Sequence, residues 1–319
     1  NIYARCPQVV SGVETPLLDK VTTGDSSPIT VTDGTKTNYL AAAAFLAEQR
    51  CSKSFATSFT NEQQLPWLGM DGTGTQDLVV QMLEYSPNET PAKVLRSPQY
   101  DTTTRTIEYP TTQMGTAEFP FYGTSIEVAC HEFAHGVWHT LNGWPVDRET
   151  NAINEGFGDV LGTAAEHFFR LTDQKSTWCF NGDPFNNQSC WRDLESPSLS
   201  SDTSCKIQVD VNGVPIEVYH QCPSDYRGPD YCTVCPVVPN QQGPAWCCDE
   251  HRNSTILSHW FYLVSMGTGS GPHCGATVKA LVDSDPAASL EMAARIVFEG
   301  ARLYPQKAVG TGYERFADA

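Results

Sequence analysis

His131 and His135 with Glu132 between them, and Glu155 twenty residues beyond the second histidine, form the set of side chains in this sequence best suited to catalysis. On an α-helix an i,i+4 pair lies about 40° apart around the axis and about 6 Å apart along it, so two imidazoles so placed can grip one ion. Zinc takes His nitrogens and carboxylate oxygens, and its catalytic sites use three protein ligands with a fourth position open. Glu155 supplies the third ligand. Glu132 points about 100° round the helix from His131, beside the ion, where it can act as a general base. Asp159, four residues after Glu155 on a second helix, is placed to accept the spare N–H of His131 or His135 and so fix its tautomer. The chemistry implied is metal-assisted hydrolysis. His139 fails as a rival ligand, because on one helix it stands about 12 Å from His131 along the axis.

Two helices must position these groups. The first is predicted over Ser125 to Leu141, capped at Thr124 or Ser125 and stopped by Asn142-Gly143. The second is predicted over Asn154 to Leu171. Further helices are expected at Ala287 to Leu303 and Ala308 to Ala319, separated by Tyr304-Pro305, and at Tyr39 to Arg50, which is Ala-rich and free of Gly and Pro. Residues 1–35 alternate short apolar runs with turn residues, while Asp77 to Tyr85 and Thr103 to Tyr109 read as strands. The pattern gives an α+β fold in two lobes. A β-rich N-terminal lobe of residues 1–140 ends in the zinc helix, a mainly α-helical C-terminal lobe spans 141–319, and the active-site cleft is expected between them.

With 319 residues the chain can bury the cores of both lobes, and its net charge of −17 argues against nucleic acid or anionic membrane as partner. No apolar run is long enough to span a bilayer. Twelve cysteines, eight of them within the polar stretch 172–250, point to an oxidising compartment and a secreted protein. That stretch reads as irregular chain stapled by disulfides. Cys179 and Cys190 flank a loop short enough to close locally, and Cys130 is expected to be paired or to face core. Cys232-x2-Cys235 with Cys247-Cys248 leaves a structural zinc site open as the alternative to disulfides. Asn1 opens the chain with neither a charged start nor an apolar run, so a signal peptide, and a propeptide with it, is expected to have preceded it.

His131-Glu-Phe-Ala-His135 with Asn154-Glu-Gly-Phe-Gly-Asp159 resembles the thermolysin-like zinc endopeptidases, and from about residue 120 other segments extend the likeness. His251 to Leu263 resembles the segment carrying that family's transition-state histidine, which implies His251 as catalytic, with Asn253 among the substrate-binding residues. Trp191-Arg-Asp-Leu-Glu-Ser-Pro197 resembles the segment with its substrate-binding arginine, implying Arg192. Phe119, Tyr122, Val128 and Trp191 would then line the pocket for the side chain after the cleaved bond. Glu127 and Glu166, with Asp183 as a third, resemble calcium carboxylates of the family; solvated helix-face acids are the alternative left open, since calcium needs six to eight oxygens. Two departures stand out. The family's oxyanion-assisting tyrosine falls on Val146 here, and the aspartate that orients its histidine falls on Trp246.

The sequence thus predicts a secreted zinc endopeptidase, with calcium as a possible second metal, that acts as a monomer on polypeptide substrates, cutting before apolar residues. Two other readings stay open. A zinc exopeptidase of the wider HExxH…E class would need a Gly-x-Met-Glu-Asn segment, which is absent, and a non-enzymatic adhesion or toxin module would have no use for Glu132.

Overall fold

The structure is a computed structural model that describes residues 2–10, 13–21, 79–84, 98–103, 106–111, 126–145, 147–169, 178–180, 190–200, 207–211, 214–219, 222–228, 230–231, 250–268, 277–304 and 312–319. The helix expected at Tyr39 to Arg50 lies outside them. The chain forms two compact units, Asn1–Thr140 with Gly182–Asn187, and Leu141–Asn181 with Gln188–Ala319.

The first unit holds a mixed five-stranded sheet. Strands β1 (Ile2–Val10) and β2 (Val13–Val21) pair antiparallel, with Ile2 opposite Val21 and Val10 opposite Val13. β3 (Val79–Glu84) and β5 (Thr106–Thr111) run parallel to β1 and to each other, and β4 (Gln99–Asp101) closes the edge antiparallel to β5. The spatial order is β2-β1-β3-β5-β4. Thr103, the expected start of this strand, lies instead in a turn, where the Asp101 carboxylate accepts its N–H at 2.7 Å.

Helix α1 (Ile126–Asn142) follows the expected span to within one residue at each end. From Glu127 to Trp138 every side chain is buried, so this helix has no solvent face over its middle turns. Gly143 ends it at a φ of 71°, which glycine adopts without steric cost.

The second unit is helical. α2 (Arg148–Phe169) starts six residues ahead of the expected Asn154. The cause is Asp147, whose carboxylate accepts the Thr150 N–H at 2.7 Å and the Thr150 hydroxyl at 2.8 Å, a cap that propensity alone does not announce. α3 (Glu250–Met266) packs on α2, and α4 (Pro286–Leu303) packs on α3. α4 shows its core face in the sequence: Leu290, Ala293, Ala294, Val297, Phe298 and Ala301 are buried at helical spacing, while Glu291, Met292, Arg295 and Ile296 are not. Asp285 caps it by accepting the N–H groups of Ala287 and Ala288. The last helix, α5 (Gly312–Ala317), stops two residues short of the expected Ala319, and positions 308–311 of the expected span lie outside the described residues. The Gly312 N–H donates to the Glu149 carboxylate at 2.7 Å, which ties this helix to α2.

The stretch expected to be irregular carries two short strand pairs, β6 (Cys179–Phe180) with β7 (Arg192–Asp193), and β8 (Ile207–Val211) with β9 (Val214–Tyr219). Cys179 and Cys190 form a disulfide with Cα atoms 5.3 Å apart, and Cys130 and Cys222 are disulfide-bonded as well. Among the described residues no helix is long and apolar enough to cross a membrane.

Asp147→Ala removes both bonds that start α2. It is expected to lower stability by about 1 kcal/mol, read as a lower denaturant midpoint at unchanged slope.

Candidate active site

On α1, His131 and His135 stand one turn apart with ring centroids 4.6 Å apart and ring planes 84° to each other. Both are buried, and so is Glu132 between them. Such burial is unusual for ionisable groups and fits residues held for chemistry rather than for solubility. Cys130, next to His131, is 1% exposed and disulfide-bonded, so it offers no thiol to a metal. His139 lies against the Tyr100 ring at 6.2 Å instead of joining the other two.

On α2, Glu155 is buried and Asp159 has no exposed surface at all. Among the described residues, His131, His135 and Glu155 form the group able to hold a metal ion, with their ligand atoms within 4.8 Å of one another. Two imidazoles and one carboxylate, all buried, are a donor set that catalytic zinc takes. The residues fit the ion.

Asp159 takes both oxygens to Arg192, whose Nε and Nη2 donate at 2.7 and 2.6 Å, and it accepts the Ser258 hydroxyl at 3.2 Å. Arg192 is 3% exposed and also lies over the Phe180 ring at 4.6 Å. The expectation for Asp159 was a bond to a zinc-site histidine. The geometry adds a different duty, as counter-charge for a buried guanidinium on the β6–β7 pair, where Phe180 faces Arg192. The Cys179–Cys190 disulfide closes the loop between those strands.

His251 is the second residue of α3, and its Nε2 lies 3.3 Å from the Glu155 carboxylate. Its side chain is 40% exposed, against 10% for Glu155, so it is the open edge of the group. Gly156 makes that approach possible. A Cβ there would meet the Ser254 carbonyl oxygen and the Leu257 Cβ, each at 2.9 Å, so α2 and α3 touch backbone to backbone beside Glu155. The signal was present as the glycine of Asn154-Glu-Gly, but its reason lies in the partner helix.

Of the other expected site residues, Val128 and Asn253 are buried and Trp191 is half-buried. Phe119, Tyr122 and Asp183 lie outside the described residues, as do Val146 and Trp246. Glu127 and Glu166 are 4% and 1% exposed, so they are not the solvated acids that a helix face usually carries. Near Arg192, burial is the main reason that the Asp193 carboxyl is raised above its ordinary pKa, and the Ser196 N–H, donating at 2.7 Å, opposes it.

These features belong to a known class of metallopeptidase. A family model described as the alpha-helical domain of thermolysin metallopeptidase matches residues 146–316, more than half of the chain, and the chain belongs to that family of metalloendopeptidases. It is also similar to the transglutaminase-activating metalloprotease of Streptomyces mobaraensis, at 27% identity over 152 residues. That match takes in 46% of this chain and 15% of the relative, so the chain spans a small part of that protein's length. Among solved structures, the precursor of protealysin, a metalloproteinase from Serratia proteamaculans, matches over 100% of this chain and 81% of its own. Its TM-score is 0.57 at 15% identity, a likeness of fold.

Gly156→Ala places a methyl group against backbone that cannot yield. It is expected to destabilise by about 1–3 kcal/mol, and a melting temperature equal to the parent's would mean that α2 and α3 do not cross as closely as described.

Proposed function

We propose that this chain is a secreted zinc endopeptidase that cleaves polypeptides before small apolar residues, with Glu132 as general base and His251 as the donor to the developing oxyanion. The observation that carries the reading is the buried group of His131, His135 and Glu155 with buried Glu132 beside the first ligand. A structural metal site has no need of such a base.

Zinc held by these three residues would act as a Lewis acid and lower the pKa of the attacking water. Glu132 accepts the proton of that water and delivers it to the leaving nitrogen. His251, at the open edge beside Glu155, donates a hydrogen bond where negative charge develops, a contact whose loss typically costs about 3–4 kcal/mol of barrier. Arg192 supports this arrangement by holding Asp159, and we assign to it and to Asn253 the binding of substrate backbone. The residue boundary near 140 separates a β-rich lobe from the helical one in this reading.

Phe119, Tyr122, Val128 and Trp191 are the proposed walls of the pocket for the residue after the cut. Two aromatics there leave room for Ala or Val, since overpacking a fixed pocket costs about 1–3 kcal/mol. The disulfides fit an oxidising, extracellular setting. The fold match to a precursor supports a propeptide before maturation, and we take the working enzyme to be a monomer. Calcium is assigned to Glu127 and Glu166, with Asp183, on their resemblance to the family's calcium carboxylates, and the burial of the two glutamates supports it.

Glu132→Gln is expected to keep zinc and fold while lowering turnover about a hundred- to ten-thousand-fold. Metal analysis and a peptide assay on one preparation check this, and substantial residual turnover removes Glu132 from the base role. Digestion of denatured protein, with and without chelator, should give cuts before Ala and Val that vanish when zinc is stripped. Dominant cutting before Phe or Leu would show a wider pocket. Trp191→Leu should move the profile towards larger residues at unchanged zinc content.

A further inference from the structure

His251 stands in the first turn of α3, where helices ordinarily fray, and the residue five positions before it is Trp246, which has no carboxylate to orient an imidazole. Arg252 has no exposed surface. Its guanidinium donates to the Asp230 carbonyl oxygen at 2.6 Å and lies 3.9 Å from the Asp230 carboxylate. The Asn253 carbonyl accepts the Tyr313 hydroxyl at 2.6 Å, and the Thr255 hydroxyl donates to the Pro223 carbonyl at 2.7 Å. The first two turns of α3 are therefore tied to Asp230, Tyr313 and Pro223 through Arg252, Asn253 and Thr255.

The segment that receives two of these ties is itself anchored. Cys222 is disulfide-bonded, Tyr231 donates to the Glu149 carboxylate at 2.8 Å, and the Tyr226 ring packs against Tyr231 and Tyr313 at 5.1 and 5.3 Å. Arg227 adopts a φ of 59° in the turn and reaches Glu314 of α5 at 3.0 Å. Burial, then the bond to Glu149, holds the Tyr231 hydroxyl protonated far above its ordinary range, so this donor persists.

Burying a guanidinium costs several kcal/mol, and an apolar side chain would fill the same helix position without that cost. Arg252 is the residue adjacent to His251, and its anchor fixes the backbone from which the imidazole projects. We propose that Arg252 is a positioning residue for His251: its bond to Asp230 locks the first turn of α3 and holds the imidazole beside Glu155. This rests on His251 acting at the reacting carbonyl, as set out above.

The test is a double-mutant cycle on the zinc-loaded full chain, comparing parent, His251→Ala, Arg252→Met and the double variant on one peptide substrate. Arg252→Met is expected to lower kcat about 10- to 100-fold, the loss that a small misplacement causes, with KM within about threefold and zinc content unchanged. In the His251→Ala background the same change should cost nothing further, because the group it positions is gone. Arg252→Lys, which keeps a donor for the Asp230 carbonyl, should recover part of kcat. If Arg252→Met fails to fold, Arg252→Lys carries the same cycle with a smaller loss that again disappears without His251. Losses that multiply in the double variant, or a parental kcat in Arg252→Met, overturn the proposal. A parental kcat in His251→Ala overturns instead the role of the histidine, and the positioning role with it.

Discussion

The pairing of Asp159 with Arg192, both withdrawn from water, is the interaction on which the second unit depends. An isolated charge in such a place costs several kcal/mol, and removing one partner of a buried pair typically costs about 3–5 kcal/mol. Two parallel hydrogen bonds and the Ser258 hydroxyl satisfy the carboxylate, while the Phe180 ring covers the guanidinium. The pair joins three elements that are distant in sequence: α2, α3 and the β6–β7 hairpin. Glu155 sits one turn before Asp159 on α2, so whatever fixes Asp159 also fixes the direction of the carboxylate that completes the candidate metal group.

The second constraint is distance between helix backbones. Serine and glycine at the contact of α2 and α3 let the helices approach until the Ser254 carbonyl would touch a Cβ at position 156. Ser258 shares its one hydroxyl proton between Asp159 at 3.2 Å and the Ser254 carbonyl at 3.3 Å, so its donor is satisfied inside the contact. Close packing and polar satisfaction act together here. They bring His251, near the start of one helix, to Glu155, in the middle of the other.

Much of the site was legible because its parts are local. His131, Glu132 and His135 lie within two turns of one helix, and the helix itself was readable from Asn142-Gly143 at its end. The face of α4 was readable for the same reason, since period 3.6 is a property of a segment. The start of α2 was misread because its signal, the Asp147 side chain bonded to Thr150, competes with many equally polar residues nearby. The first part of the disulfide-rich stretch was read as irregular because the two-residue strands β6 and β7 leave no periodic trace, and the longer pair β8 and β9 was missed among the polar residues and cysteines around it.

Spacing alone named the residues that could ligate a metal, the candidate base between them and the elements that carry them, because helix geometry converts spacing into direction. Only the tertiary structure decided that Asp159 neutralises Arg192, that Gly156 exists for the sake of Ser254 and Leu257, and that a buried arginine follows His251. Those are contacts between residues 33, about 100 and 22 positions apart, and no local pattern encodes them. Charge burial and backbone approach are set by what the fold brings opposite, so their reasons appear only once the chain is packed.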